Sequence, residues 1–234
     1  CSIYCLTYNF DYIDPLFRKI ISERLDRFLQ KKNILIVNSC GNIEWEDVYE
    51  NKQHYPKYNS KFDVLSPAEC RTIISTGNAI FKNKILPSCN TRLGINEIFV
   101  NKARDAFLYQ KPEICFLGGY VNLDEIKKTE EGIGCNLNPI TSYKVINQEG
   151  NIVLAEGTSF SAPISSNAFS RLIKKYGSQF KNVETYKAML INKCDYTLIE
   201  DFKTNESKPL FYLKDLVEKN RKEIGVKLWE KIEL

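Results

Sequence analysis

Ile34-Leu35-Ile36-Val37-Asn38-Ser39-Cys40-Gly41-Asn42 begins with the longest unbroken aliphatic run of the 234-residue chain and ends in a Gly-Asn turn. A short continuous apolar run, without alternation, is the pattern of a strand covered on both faces in a parallel sheet. Immediately upstream, Leu16, Phe17, Ile20, Ile21, Leu25, Phe28 and Leu29 recur at helical spacing, with Lys and Arg opposite them. Asp14-Pro15 reads as the N-cap and first position of that helix, and Lys31-Lys32-Asn33 as its end. Before the helix, Ser2-Ile3-Tyr4-Cys5-Leu6-Thr7-Tyr8 is β-prone and nearly uncharged, a candidate buried strand. Strand, helix, strand in this order is the right-handed crossover of an α/β fold.

Further along, residues 43–62 are polar and aromatic and read as loop, and Thr72 to Gly77 as a short strand. Residues 81–110 lack clear periodicity apart from an expected helix near Asn96 to Tyr109. Tyr143 to Leu154 alternates around Gln148-Glu149-Gly150-Asn151, the signature of a β-hairpin. From Ile164, residues Ala168, Phe169, Leu172, Ile173 and Tyr176 predict a strong helix stopped by Gly177, and Tyr186 to Ile191 another. The tail from Pro209 to Leu234, with Leu213, Leu216, Val217, Ile224, Leu228, Trp229 and Ile232, predicts a closing packed helix.

Hydrophobic residues make up 43% and charged residues 26% of the chain, which excludes a disordered polypeptide. No apolar stretch approaches the ~20 residues of a membrane span, and no basic segment followed by an apolar h-region opens these residues, so no signal peptide is visible in them. The net charge of +4 arises from 33 basic and 29 acidic residues that are interspersed, so neither a nucleic-acid nor a membrane partner is expected. The eight cysteines form no C-x-x-C pair, and His54, the single histidine, has no cysteine at zinc-finger spacing. Cys40 and Cys115 lie in apolar, strand-like segments, where cysteine behaves as a small hydrophobe. Reduced thiols, a cytoplasmic setting, and no metal or other cofactor are expected; secretion remains the alternative, and a calcium loop in residues 120–150 the one place a metal would fit.

Gly157-Thr158-Ser159-Phe160-Ser161-Ala162-Pro163 carries the chemistry. Glycine leads into a turn, serine sits on it, and an amphipathic helix follows. A hydroxyl there lies beside unpaired helix N–H groups and the positive end of the macrodipole, surroundings that stabilise an oxyanion. Pro163 lacks the N–H that would bond the Ser159 carbonyl, so it is tolerated only in or near a first turn. Without other landmarks the same string describes a serine-capped helix. Position 161 is Ser rather than the Gly that a Gly-x-Ser-x-Gly elbow needs, which argues against an esterase of that type.

The string Gly-Thr-Ser-x-Ser-Ala-Pro before a helix resembles the nucleophile motif of the subtilisin-like serine proteases, the subtilases. Ser159 is the nucleophile on that match, and the Gly41-Asn42 end of the apolar strand resembles the family's oxyanion asparagine, which maps onto Asn42. Tyr55-Pro56, Arg71 to Gly77, Lys111-Pro112-Glu113-Ile114 and Met189-Leu190-Ile191 follow in the family's order. The resemblance implies a three-layer α/β fold around a mostly parallel sheet, with residues 1–205 the C-terminal portion of a peptidase domain and 206–234 a helical extension. It implies a peptide or protein substrate lying extended in a cleft, with Tyr8, Asn38, Ser39, Cys40 and Gly41 near the first specificity pocket.

Subtilases place aspartate and histidine before the oxyanion asparagine. Here His54 follows Asn42 and matches no family motif, so the triad's Asp and His are expected in a part of the same protein upstream of Cys1. A serine without a base is a poor nucleophile, so the chain alone is expected to be nearly inert. The alternative is a non-catalytic subtilase-fold module that binds a peptide or partner. Relative to compact family members, additional residues are expected within 78–110 and 120–150.

Overall fold

The computed structural model describes residues 2–10, 14–56, 62–81, 85–95, 110–130, 132–177, 182–192, 194–200 and 207–212. The opening crossover forms as its sequence dictates: β1 (Ser2–Leu6), α1 (Pro15–Lys32) and β2 (Ile34–Ser39). The Asp14 side chain accepts from the N–H groups of Leu16 and Phe17, and Asn33 ends the helix at φ 53°, in the left-handed region that asparagine tolerates. After α2 (Trp45–Glu50) come β3 (Ile74–Phe81), β4 (Ile85–Pro87), β5 (Gly94–Ile95), β6 (Gln110–Lys111) and β7 (Ile114–Phe116). Two hairpins follow, β8 (Ile126–Thr129) with β9 (Gly132–Cys135), and β10 (Tyr143–Ile146) with β11 (Ile152–Ala155). The chain continues through α3 (Thr158–Tyr176), α4 (Val183–Asn192), β12 (Asp195–Glu200) and β13 (Ser207–Tyr212).

The main sheet runs β1-β2-β3-β7-β13-β12, with β4 paired to β3. All its neighbours are parallel except β12 with β13 and β4 with β3. The run 34–37 supplies both faces of β2, because successive side chains of a strand point to opposite sides. Leu35 and Val37 join Ile74, Ile114, Phe116, Phe169 and Leu172 in the core under α3 and α4. Ile34 and Ile36 pack with Leu25, Leu29, Cys70 and Ile73 beneath α1. The result is the expected three-layer α/β architecture with a mostly parallel sheet.

Several local expectations differ. β1 is an edge strand rather than a buried one: Tyr4 is 53% and Leu6 37% exposed, since strand β2 covers one edge only. Within 43–62 there is a short helix, α2, whose Val48 is buried beside Trp45 and Tyr49 in a second core. Six residues are too few for a periodicity to show in sequence. Strand β3 begins and ends later than Thr72 to Gly77. Helix α3 starts at Thr158, ahead of Ile164, and holds Pro163 in its interior. Of the expected extension 206–234, Ser207–Tyr212 is a strand of the main sheet, and residues 213–234 lie outside the described residues. So does the helix expected near Asn96 to Tyr109. The hairpin at 143–155 and the helix around 186–191 form as expected.

No helix among the described residues is long and apolar enough to cross a membrane. Cys5, Cys40, Cys70, Cys89, Cys115, Cys135 and Cys194 are free thiols.

Candidate active site

Strand β2 delivers its last residues to the carboxyl end of the sheet, and Asn42 follows two residues after Cys40. The Cys40 N–H donates to the Thr76 carbonyl at 3.0 Å, which prolongs the contact with β3 past the strand end. Gly41 then turns the chain at φ +93°, where a Cβ would press on Leu65. Asn42 forms an antiparallel bridge with Thr91, and its carbonyl accepts from Arg92 Nε at 2.9 Å. The backbone of Asn42 is therefore braced from the Ser88–Arg92 turn, as a rigidly presented amide requires.

The Asn42 side chain meets the start of α3. That helix has Gly157 at its N-cap, which offers no side chain to the first N–H groups. Instead Asn42 Oδ1 accepts from the Thr158 N–H at 3.1 Å and from the Thr158 hydroxyl at 3.2 Å. Two donors on Oδ1 decide which half of the amide is oxygen, and they leave Nδ2 as the free donor half. Gly157 sits directly against that Nδ2: at φ +141°, a Cβ on it would lie 2.9 Å away.

Ser159, the second residue of α3, is exposed while Thr158 before it is buried. Its hydroxyl makes a long contact of 3.5 Å to the Thr7 carbonyl, at the carboxyl end of β1. Its own N–H belongs to the first helical turn, where the helix provides no acceptor. Ser159 and Asn42 thus converge at one mouth of the sheet, and the positive end of the α3 dipole points there. Phe160, next along, stacks on Tyr143 with ring centroids 4.9 Å apart. Among the described residues, no titratable base is hydrogen-bonded to Ser159. The backbone of His54 lies in the short 3-10 turn Lys52–His54 beyond α2.

The remaining candidates divide by exposure. Tyr8 is 70% exposed and packs edge-on against Phe10. Asn38, Ser39, Cys40 and Gly41 are buried. Asn38 Nδ2 donates to Asn9 Oδ1 at 2.8 Å, and Asn9 Nδ2 donates to Ser39 Oγ at 2.9 Å, so these amides fasten the segment after β1 to the end of β2. Burial pushes the Cys40 thiol up to about 12, opposed weakly by Arg92, so it is not a nucleophile. These side chains are committed to the fold, which leaves only their backbone for a ligand.

Sequence reasoning missed the residues that brace the pair. Asn9, Thr91, Asn90 and Glu156 carry no motif; the one available signal was an acidic residue at the end of an apolar hairpin, just before Gly157. Glu156 Oε1 accepts from Asn90 Nδ2 at 2.8 Å. Burial pushes its carboxyl up to about 7, against the opposing hydrogen bond of Asn90. No group of three or more His, Cys, Asp or Glu able to hold a metal occurs among the described residues.

The model of the subtilase family matches residues 3–221. No curated protein sequence matches significantly. Among solved structures, the nisin leader peptidase NisP from Lactococcus lactis is similar at 13% identity and a TM-score of 0.52, over 92% of this chain and 57% of that one. The epidermin leader peptide processing serine protease EpiP from Staphylococcus aureus is similar at 18% identity and a TM-score of 0.47, over 85% of this chain and 42% of that one. The prenylagaramide maturation protease PagA is similar at 17% identity and a TM-score of 0.44, over 83% and 52%. At such identities the likeness to NisP concerns the fold. The chain spans about half the length of the solved structures it matches.

Proposed function

The chain belongs to the subtilase family and carries a peptidase domain of that family; we propose that it holds the nucleophile and oxyanion half of a serine endopeptidase site. Ser159 is the nucleophile and Asn42 the oxyanion donor. The observation that carries this reading is the Asn42 amide, bound through its oxygen to Thr158, the residue before Ser159, with its Nδ2 against Gly157 in the same turn. When the Ser159 oxygen adds to a peptide carbonyl, negative charge moves to the carbonyl oxygen. Asn42 Nδ2 and the Ser159 N–H both address that oxygen, and neither needs to reorient as the charge develops. The peptide lies extended past Tyr8 and the backbone of Asn38 to Gly41.

The proton of Ser159 must go to a base. His54 is the single histidine of these 234 residues and stands in no family motif. We assign the histidine and aspartate to another part of the protein, seated on β1 and α1. Tyr4, Leu6, Tyr8, Phe10, Leu16 and Phe17 are exposed there, an apolar face on the strand that ends the sheet order among the described residues. The Thr7 carbonyl at the end of that strand already reaches the Ser159 hydroxyl. A segment seated on this face would stand beside Ser159, which supports the assignment.

A fluorophosphonate probe tests the assignment, since it labels serine only where a base activates it. The chain alone should label negligibly, and the whole protein strongly, with Ser159→Ala abolishing the signal. Rapid labelling of the isolated chain at Ser159 would place a base within it, with His54 the first suspect. A whole protein that never labels would instead favour a non-catalytic module that binds peptides or a partner.

A further inference from the structure

We propose that Glu156 is a positioning residue for the reacting pair: its carboxyl clamps the turn that carries Ser159 to the turn that braces Asn42. This rests on the assignment of Ser159 and Asn42 as nucleophile and oxyanion donor.

The connections run in two directions from Glu156. On one side its Oε1 accepts from Asn90 Nδ2 at 2.8 Å. The Asn90 carbonyl in turn accepts from the N–H of Ile43, the residue after Asn42, at 2.7 Å. The next residue, Thr91, forms the bridge to Asn42 itself. On the other side the Gly157 N–H donates to the Gly118 carbonyl at 2.8 Å, and the Gly118 N–H donates to Asn78 Oδ1 at 2.8 Å. Asn78 closes the ring through its backbone, which exchanges hydrogen bonds with the Thr91 hydroxyl at 3.2 and 2.9 Å. Asn78, Ser88, Asn90 and Thr91 are all buried. Gly119, at φ +76°, lies so close that a Cβ on it would stand 2.8 Å from that of Glu156. The segment therefore has little room to shift without moving Gly157 and the start of α3.

Glu156 is the ionisable member of this otherwise neutral ring of amides and hydroxyls. The titratable groups that feel its charge are Cys89 in the turn after β4 and Cys135 of β9, and Glu125 shares their neighbourhood. All are acids. Arg92, in the same turn as Asn90, donates to the carbonyls of Asn42 and Asp63. A negative charge on Glu156 is thus desolvated with no cation paired to it by the contacts above, which favours water entry or displacement of the side chain. Either loosens the tie to Asn90 and with it the alignment of Asn42 against Ser159.

The test is the pH profile of fluorophosphonate labelling in the whole protein. Wild type should rise as the catalytic base loses its proton and fall again above about pH 7, as Glu156 ionises. Glu156→Gln keeps the shape and the acceptor for Asn90 but cannot ionise. It should remove the fall, raising the ratio of rates at about pH 8 and about pH 6 by about tenfold over wild type, since a group titrating near 7 is mostly ionised at about pH 8. Asn90→Ala cuts the clamp from its other end and should slow labelling about tenfold, the rate equivalent of one buried hydrogen bond. A Glu156→Gln profile superimposed on that of wild type overturns the clamp and leaves the protease reading intact. Absence of labelling in wild type overturns both.

Discussion

Asn42 caps a helix that begins 116 residues after it: its Oδ1 accepts both the N–H and the hydroxyl of Thr158, at 3.1 and 3.2 Å. The same side chain thereby does two tasks with its two ends. Its oxygen satisfies a helix N-terminus that Gly157 cannot cap, and its nitrogen is the end to which we assign the oxyanion. The two tasks are separable by substitution.

Asn42→Ala removes both ends. It should cost about 0.5–2 kcal/mol of stability, as loss of an N-cap does. In the whole protein it should slow turnover by about 10²–10³, with less effect on substrate binding. Asn42→Asp retains an acceptor for Thr158 but no donor. Its melting temperature should exceed that of Asn42→Ala while its turnover is no faster; a fast, well-folded Asn42→Asp enzyme would remove Asn42 from the oxyanion hole.

Gly157→Ala should damage the site more than the fold. The backbone angle of +141° is one that side chains rarely adopt, and the added methyl would stand 2.9 Å from Asn42 Nδ2. Strain of this kind costs about 1–3 kcal/mol. The displaced amide should lower fluorophosphonate labelling of the whole protein at Ser159 out of proportion to the lost stability. Equal labelling at equal folded fraction would show that Nδ2 can move without consequence.

Glu113 anchors the opposite end of the sheet. Its Oε1 lies 2.6 Å from Lys111 Nζ and 2.8 Å from Lys187 Nζ, and its Oε2 accepts from the Ser75 N–H and hydroxyl. Burial alone would raise its carboxyl, but the two ammonium groups outweigh this and hold it below the usual carboxylate value. A depressed folded pKa means that Glu113 contributes stability above its unfolded value and loses that contribution as pH falls through the folded one. Glu113→Ala strands the buried Lys111 ammonium and should cost about 3–5 kcal/mol at neutral pH. Chemical denaturation checks both the size and its shrinkage in acid.

Glu156 carries the opposite sign. Its carboxyl is raised from 4.5 to about 7 in the folded chain. Between those values the folded state holds a proton that the unfolded state has released, so this group makes stability fall as pH rises. The shift corresponds to on the order of 3 kcal/mol across the window. Glu156→Gln should therefore gain in melting temperature relative to wild type from about pH 5 to about pH 8, a difference that parallel thermal melts will show or refute.

Much of the fold was legible in local pattern. The run Ile34 to Val37 read as a strand with two covered faces, and the spacing of Leu16 to Leu29 with Asp14-Pro15 as a capped helix, because side-chain period and capping chemistry act over a few residues. The Gly157-Thr158-Ser159 string marked the nucleophile candidate for the same reason. What sequence could not reveal were relations between distant segments. Ser2 to Leu6 reads as buried by composition, yet its place at the sheet edge leaves it exposed. The Gly-Thr-Ser string marked the start of α3 but not its cap, which comes from Asn42, and no local rule detects a donor–acceptor pair 116 residues apart. Glu156 looked like an ordinary surface acid until the tertiary structure enclosed it with Asn90 and Asn78. Residue type and spacing determined which elements form and which side chains can do chemistry. Only the assembled sheet decided which of them meet and how far each is removed from water, since burial and long-range hydrogen bonding exist only once the chain has folded.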